Sequence, residues 1–198
     1  MRSRGRSIDI NDLAKALWKE VIGLLTHPAE GVGIVREIGA TGYRQEEEQM
    51  ENAEKLRALG AEVVSNPAFV QAHGKTHCNR AARFLCEAFG HHGFTPNDLA
   101  NAMIAKMGAS FEWRERTMEE AHAHAMKGGL AFLAVEDEPN GHLAAIMPEP
   151  MQESGSWGCP VPMVANVGIA PNAIKKASQA FLLAHKPGLR AFLYGDAA

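Results

Sequence analysis

Cysteine is scarce in this chain, and its three cysteines are Cys78, Cys86 and Cys159. Cys78 and Cys86 lie on one predicted helix, eight residues apart, which separates them by roughly 12 Å at 1.5 Å per residue. A disulfide needs Cα atoms within about 7 Å. The pattern therefore indicates a reduced chain, in which each cysteine belongs either to the core or to the chemistry.

Long apolar runs and an excess of basic residues are also missing. No stretch approaches the roughly 20 apolar residues of a membrane span, so we expect no stable membrane insertion. The basic first residues do not resemble a signal peptide, because Asp9, Asp12, Lys15 and Lys19 interrupt its apolar part. We therefore expect synthesis in the cytoplasm and, for any outside target, another exit route. A net charge of −3 and a pI near 6.3 argue against a nucleic-acid partner.

The first part of the chain has helical patterns. Helices are predicted at residues 8–26, in a charged segment that ends at Gly60, and in "KTHCNRAARFLCEAFG". Another is predicted in "TPNDLANAMIAKMG", with Thr95 as its cap. A further helix is predicted in "TMEEAHAHAMKGG", where Thr117 and a glutamate three residues later form a capping box.

After Leu130 the pattern changes to short apolar runs. "LAFLAVE" and "HLAAIMP" are joined by the turn-rich "DEPNG", which is typical of antiparallel strands. "VPMVANVG" and "RAFLYG" are two further strand candidates, and a helix is predicted between them in "NAIKKASQAFLLAH". Helices first and strands later predict an α+β domain over residues 66–198, with residues 1–65 as a helical N-terminal extension of the same globule.

Cys78 is the cysteine whose position favours chemistry. A thiol of pKa about 8.5 is mostly protonated at neutral pH, whereas the thiolate is the nucleophile. The first turn of a helix directs unpaired N–H groups and the positive end of the helix dipole at such a group, which lowers its pKa. Cys86 lies in the middle of the same helix, where neither effect operates, and is interpreted as a core residue.

A cysteine nucleophile needs a base, and His142 is the best placed of the nine histidines. It begins an apolar strand directly after a glycine, and a strand end holds a base rigidly. His77 is adjacent to Cys78 in sequence, and adjacent residues diverge on a helix. Asn166 is the only polar side chain in "VPMVANVG", so it is the candidate for orienting the imidazole of His142.

A metal site is the competing chemistry. His73 and His77 are four residues apart, next to Cys78, which would suit zinc if the segment were helical. Gly74 and the break at "HGKTH" argue against a helix there. We therefore expect neither a metal nor another cofactor.

The segments "KTHCNRAARFLCEAFG", "GHLAAIMP" and "PMVANVG", taken in this order, resemble the NlpC/P60 and CHAP peptidoglycan amidases, a branch of the papain-like cysteine hydrolases. The resemblance covers roughly residues 70–195. It implies a helical layer packed on an antiparallel sheet, with Cys78 as nucleophile, His142 as base and Asn166 as orienting residue. The chain differs from the usual signature in having His77 before the cysteine and Asn79 after it.

The resemblance also implies a function. The chain would be a cysteine amidase or endopeptidase that cuts amide bonds in the stem or cross-bridge peptides of bacterial peptidoglycan, as a phage endolysin or an amidase effector. It would act at the cell wall, and an immunity protein, a holin or a secretion machine are its implied partners.

Two residues are candidates for substrate contacts, and two alternative functions stay open. The backbone N–H of Asn79 is a candidate oxyanion donor from its position after Cys78. Trp157 lies in the Gly/Ser-rich "ESGSWGCP", which we expect to be a flexible loop beside the active site, and is a candidate wall of the substrate site. The alternatives are a protease of the same fold that acts on a protein, and a non-catalytic structural or binding protein of a phage particle.

Overall fold

The computed structural model describes residues 33–70, 77–168 and 171–195, and of residues 33–42 only the helical backbone. The predicted helix at residues 8–26 and the candidate ligand His73 lie outside the described residues. The chain divides into the compact units Met1–Gly42 and Tyr43–Ala198. Tyr43–Ala198 contains the candidate site.

Five α-helices are present in the described part of the chain. They are α1 (Gly33–Ser65), α2 (Cys78–Ala88), α3 (Ala100–Ala109), α4 (Met118–Met126) and the short α5 (Ala177–Ala180). Of the two 3₁₀ segments, Pro67–Phe69 lies between α1 and α2, and Leu183–Gly188 follows α5.

The strands form one large antiparallel sheet and one small hairpin. The strands are β1 (Trp113–Arg116), β2 (Ala131–Val135), β3 (His142–Ile146), β4 (Gln152–Ser154), β5 (Cys159–Val161), β6 (Met163–Asn166), β7 (Ala173–Lys176) and β8 (Arg190–Tyr194). The six-stranded sheet has the order β1-β8-β2-β3-β6-β7, and β4 pairs only with β5. Among the described residues, no helix is both long and apolar enough to cross a membrane.

The α+β class and the predicted strand pair β2–β3 are confirmed. Every residue of β2 is buried, and so is every residue of β3 after His142. Both faces of these two central strands are therefore covered, which is why they read as continuous apolar runs rather than as alternating ones. The capping box of Thr117 is also confirmed, since its side chain accepts from the N–H of Glu120 and the Glu120 carboxylate accepts in return.

The prediction that a helix ends at Gly60 is wrong, because α1 continues to Ser65. Gly60 is buried, and a Cβ at this position would lie 2.3 Å from the Cε atom of Met147. Its small size lets α1 approach the sheet closely. In the sequence, a glycine required by packing inside a helix thus looks like a helix terminus.

The predicted helix in "NAIKKASQAFLLAH" is also wrong. This segment contains strand β7, the four-residue helix α5 and the beginning of a 3₁₀ turn. Helix α3 begins at Ala100 rather than near Pro96, because the carboxylate of Asp98 accepts the N–H of Thr95 in a separate turn. The glycine- and serine-rich segment after β3, predicted as a flexible loop, is the β4–β5 hairpin.

Candidate active site

His142 and Asn166 are in direct contact. The Nε2 atom of His142 lies 2.7 Å from the Oδ1 atom of Asn166. An amide oxygen can only accept, so Nε2 carries the hydrogen and donates it. In the neutral imidazole the lone pair is then on Nδ1, and this nitrogen is the one able to take a proton.

The strand register explains this contact. Ala145 lies opposite Ala165 in the antiparallel pair β3–β6, and Ile146 lies opposite Val164. Extending the register by one pair sets Ala144 opposite Asn166. Because side chains alternate between faces, His142 is on the face of Ala144 and is therefore a diagonal neighbour of Asn166 on the same face.

The ring of His142 is enclosed on further sides. The ring of Phe181, which is 3% exposed, lies with its centroid 5.0 Å from that of the imidazole. A Cβ at Gly168 would lie 3.4 Å from the Cε1 atom of His142, so the backbone approaches that edge closely. These neighbours limit the rotation of the ring and keep water from its bond to Asn166.

The pKa of His142 is lowered from its ordinary value of 6.5, chiefly because burial disfavours the charged ring. The hydrogen bond to Asn166 acts in the opposite direction, and the charges of His185 and Lys175 lower the pKa further. The imidazole is therefore neutral at neutral pH, as a general base must be.

Cys78 is the first residue of α2, and α2 packs on β3, the strand that begins at His142. Cys78 is thus carried by a helix, and His142 is carried by the strand on which that helix packs. Cys78 is 4% exposed. Cys86 is fully buried, and burial raises the pKa of its thiol well above the ordinary value, as expected for a core cysteine.

Asn79 lies in the first turn of α2, and its side chain is used to fix the neighbouring loop. Its Nδ2 atom donates to the carbonyl of Asp98 at 2.8 Å. Asp98 in turn forms an ion pair with Lys106 at 2.6 Å. The turn before α3 is therefore joined to the N-terminus of α2. The oxyanion role of the Asn79 N–H stays a prediction.

Trp157 lies at the turn of the β4–β5 hairpin and is 5% exposed. Its backbone carbonyl accepts from the Nζ atom of Lys186 at 2.7 Å, and the same ammonium lies 5.9 Å from the indole centroid. The ring thus packs in the core, and the role of Trp157 in substrate binding stays a prediction. Lys186 joins the hairpin to the segment that follows Phe181.

No cluster of three or more histidine, cysteine or acidic side chains that could hold a metal occurs among the described residues. Cys78 and His77 are in the described part of the chain, whereas the third residue of the hypothetical zinc site, His73, is not.

Sequence reasoning missed two residues of this region, Phe181 and Lys175. Both lie in the segment interpreted as one long helix, which concealed that Lys175 is on a strand next to Asn166. The signal that could have revealed the strand is the pair of lysines in an otherwise apolar "NAIKKA", which is typical of an edge strand.

Comparison with known proteins adds no relative. A scan against protein-family models finds no match, and a search of the curated proteins finds none either.

Proposed function

We propose that this chain is a papain-like cysteine amidase in which Cys78 is the nucleophile, His142 the base and Asn166 the residue that orients the base. The observation that carries the proposal is the 2.7 Å bond from His142 Nε2 to Asn166 Oδ1. It fixes the tautomer whose free lone pair is on Nδ1, on a strand that packs under the helix of Cys78. A buried core histidine needs a partner for one nitrogen, but it does not need the helix that packs on its strand to begin with a cysteine.

In the first half of the reaction, Nδ1 of His142 takes the thiol proton of Cys78, and the sulfur attacks the carbonyl carbon of an amide. The negative charge moves to the carbonyl oxygen, where first-turn N–H groups of α2 act as donors. The C–N bond then breaks, and the amine leaves with the proton held by His142. The product is a thioester on Cys78.

In the second half, His142 takes a proton from water, and the resulting hydroxide attacks the thioester. The sulfur leaves as the thiol after His142 returns its proton, and the acid product is released. Asn166 holds the ring in one orientation through both halves, so it contributes to each proton transfer without accepting a proton itself.

The proposed substrate is the peptide part of bacterial peptidoglycan, and this step is supported by the resemblance to the NlpC/P60 and CHAP amidases. The protein would act at the cell wall after release or delivery. The test is digestion of purified sacculi of several cross-link types by the wild type and by Cys78→Ser. We expect new amino groups and smaller fragments with the wild type alone.

Circular dichroism of Cys78→Ser serves as the control for folding. If the folded wild type releases nothing from any of the sacculi, the cell-wall substrate is wrong. Release that persists in folded Cys78→Ser would mean that Cys78 is not the nucleophile.

A second candidate is a non-catalytic binding or structural protein with the same fold, and the 4% exposure of Cys78 favours it, because core cysteines are buried to this extent. A protease for a protein substrate would share the site with the proposed amidase. Cleavage of a casein or gelatin panel that depends on Cys78 would identify the protease, whereas a folded protein inert on proteins and sacculi would favour the binding protein.

A further inference from the structure

The side chains of Cys159 and Lys186 are in contact, although 27 residues separate them along the chain. The Nζ atom of Lys186 lies 3.8 Å from the Sγ atom of Cys159 and donates a hydrogen bond to it. Cys159 is partly exposed, so small reagents in solution can reach its sulfur. Cys86 belongs to the core and Cys78 is the candidate nucleophile, which leaves Cys159 as the cysteine without an assigned role.

The backbone is held in place on both sides of this contact. Cys159 begins β5 and is paired with Ser154 in the first pair of the β4–β5 hairpin. The turn between them is closed by the N–H of Gly158, which donates to the carbonyl of Ser154 at 2.8 Å. Lys186 lies in the 3₁₀ segment Leu183–Gly188. The sulfur and the nitrogen therefore stay close together, as the partners of an intramolecular reaction do.

The nitrogen of Lys186 can act as a nucleophile. Its second hydrogen bond goes to the backbone carbonyl of Trp157 at 2.7 Å, which is a neutral acceptor. An ammonium group has three N–H donors, so these two bonds leave one proton that can pass to water, because Lys186 is exposed. The neutral amine then has a lone pair, and the flexible four-carbon stem of lysine lets this lone pair approach the sulfur of Cys159.

Hydrogen peroxide can convert such a contact into a covalent link in two steps. In the first step the thiol sulfur takes one oxygen atom and becomes a sulfenic acid, the O–O bond of the peroxide breaks, and one water molecule is released. In the second step the amine attacks the sulfur, the S–O bond breaks, and the hydroxide leaves as water with a proton from the nitrogen. The product is an S–N bond, which sulfenic acids also form with backbone nitrogen. Two equivalents of a thiol return it to cysteine and lysine and are themselves oxidised to a disulfide.

We propose that Cys159 and Lys186 form an oxidation site, at which hydrogen peroxide joins the two side chains through a reversible S–N bond. The link connects the β4–β5 hairpin to the 3₁₀ segment that follows Phe181. The ring of Phe181 lies with its centroid 5.0 Å from that of His142, so the link restrains a part of the chain next to the candidate site. The proposal is independent of the proposed function, because neither Cys78 nor His142 takes part in the reaction.

The test is mass spectrometry of tryptic peptides after oxidation of the folded protein. Full-length Cys78→Ala, which lacks the candidate nucleophile, is treated with one equivalent of hydrogen peroxide at pH 9, where more of a lysine amine is neutral than at pH 7. We expect the peptides that contain Cys159 and Lys186 to be recovered as one species, lighter by two hydrogen atoms than the sum of the two peptides. Dithiothreitol is expected to separate this species into the two unmodified peptides.

Cys78→Ala/Lys186→Arg keeps the positive charge but lacks the amine, so the linked species should be absent. The fraction of Cys159 recovered as sulfinic acid should rise at least about tenfold in this variant, because no amine captures the sulfenic acid. Cys78→Ala/Lys127→Arg is the matched control, since Lys127 is another exposed lysine, and it should form the link as readily as Cys78→Ala does. Unmodified Cys159 in Cys78→Ala, oxidised Cys159 with a free Lys186, or a link that survives Lys186→Arg would overturn the proposal.

Discussion

The imidazole of His142 and the side-chain amide of Asn166 are joined by a 2.7 Å hydrogen bond across neighbouring strands, although 24 residues separate them along the chain. The interval is occupied by the β4–β5 hairpin, which leaves the sheet after β3 and returns to it at β6. The hairpin therefore adds chain length without separating the two side chains. The variants below test what this contact and its surroundings do.

Asn166→Ala removes the acceptor of the His142 Nε2–H. The bond to Asn166 raises the pKa of His142, so its loss is expected to lower that pKa further below 6.5. The ring also loses its fixed orientation, and we expect kcat/KM to fall at least about tenfold, the equivalent of one good hydrogen bond. NMR titration of the His142 ring checks the pKa, and hydrolysis assays check the rate. An unchanged pKa with full activity would show that the contact has no role.

Phe181→Leu opens the face of the His142 ring to water. Burial is the main cause of the lowered pKa of His142, so this variant is expected to shift the pKa up towards 6.5, the opposite direction to Asn166→Ala. The full truncation Phe181→Ala is expected to cost about 3–5 kcal/mol of unfolding free energy, as for other buried phenylalanines.

The matched control for Phe181 is Phe94→Leu. Phe94 is also buried, and its ring lies with its centroid 4.7 Å from that of His91, away from the candidate site. This variant is expected to leave the His142 titration unchanged. If Phe94→Leu shifted the pKa of His142 as much as Phe181→Leu does, the shift would come from a general loosening of the core and not from the loss of the Phe181 ring.

Gly60→Ala adds a methyl group where α1 meets the sheet. The new Cβ would lie 2.3 Å from Cε and 2.6 Å from Sδ of Met147, which is fully buried. We expect a loss of about 1–3 kcal/mol in unfolding free energy, the usual effect of overpacking, measured by urea denaturation. Gly60→Ala should cost much less in a Met147→Ala background, where the colliding atoms are gone. If Gly60→Ala lowered the unfolding free energy equally in both backgrounds, the strain would not come from the contact with Met147.

Stability is expected to fall in acid because of His91. The Nδ1 atom of His91 lies 3.3 Å from the carboxylate of Glu112, yet burial among aromatic rings lowers the pKa of His91 below 6.5, and the positive charge of His92 adds to this. The unfolded chain then binds more protons than the folded one as the pH falls through about 6.5. The contribution of His91 to the free energy of unfolding is therefore complete above that pH and is lost as the pH falls below it.

Urea denaturation at pH 7.5 and pH 5.0 checks this sign. The wild type should lose more unfolding free energy between the two pH values than His91→Gln does. His142 contributes in the same direction, so the loss in His91→Gln is smaller but not zero. An equal loss in the two proteins would contradict the role of His91.

The sequence predicts the parts of the fold that local chemistry controls. Thr117 and Glu120 cap α4 reciprocally, and the turn "DEPNG" joins β2 to β3, because these signals act within a few residues. His142 and Asn166 could be selected as candidates, since one begins a strand after a glycine and the other is the only polar residue of its run. Their pairing depends on strand register, which the sequence alone does not determine.

The wrong predictions concern residues whose roles are set by contacts with distant parts of the chain. Gly60 looks like a helix end, but it is small because Met147 packs over it. Trp157 looks like part of a flexible loop, but Lys186 and the hairpin hold it in the core. Lys175 and Lys176 look helical because the apolar residues around them have helical spacing. They lie on an edge strand, where lysine is common because its ammonium group can stay in water.

Reactivity of Cys78 towards iodoacetamide at pH 6.5, followed residue by residue by mass spectrometry, tests the central claim most directly. Cys159, which is partly exposed, and Cys86, which is buried, are internal references. A thiol of ordinary pKa is only about 1% thiolate at this pH. We predict that Cys78 is labelled faster than Cys159 despite its lower exposure. We also predict that His142→Ala lowers the labelling rate of Cys78 at least about tenfold and leaves the labelling rate of Cys159 unchanged. Labelling of Cys78 that is as slow as that of Cys86, and the same with or without His142, would contradict a catalytic Cys78–His142 pair.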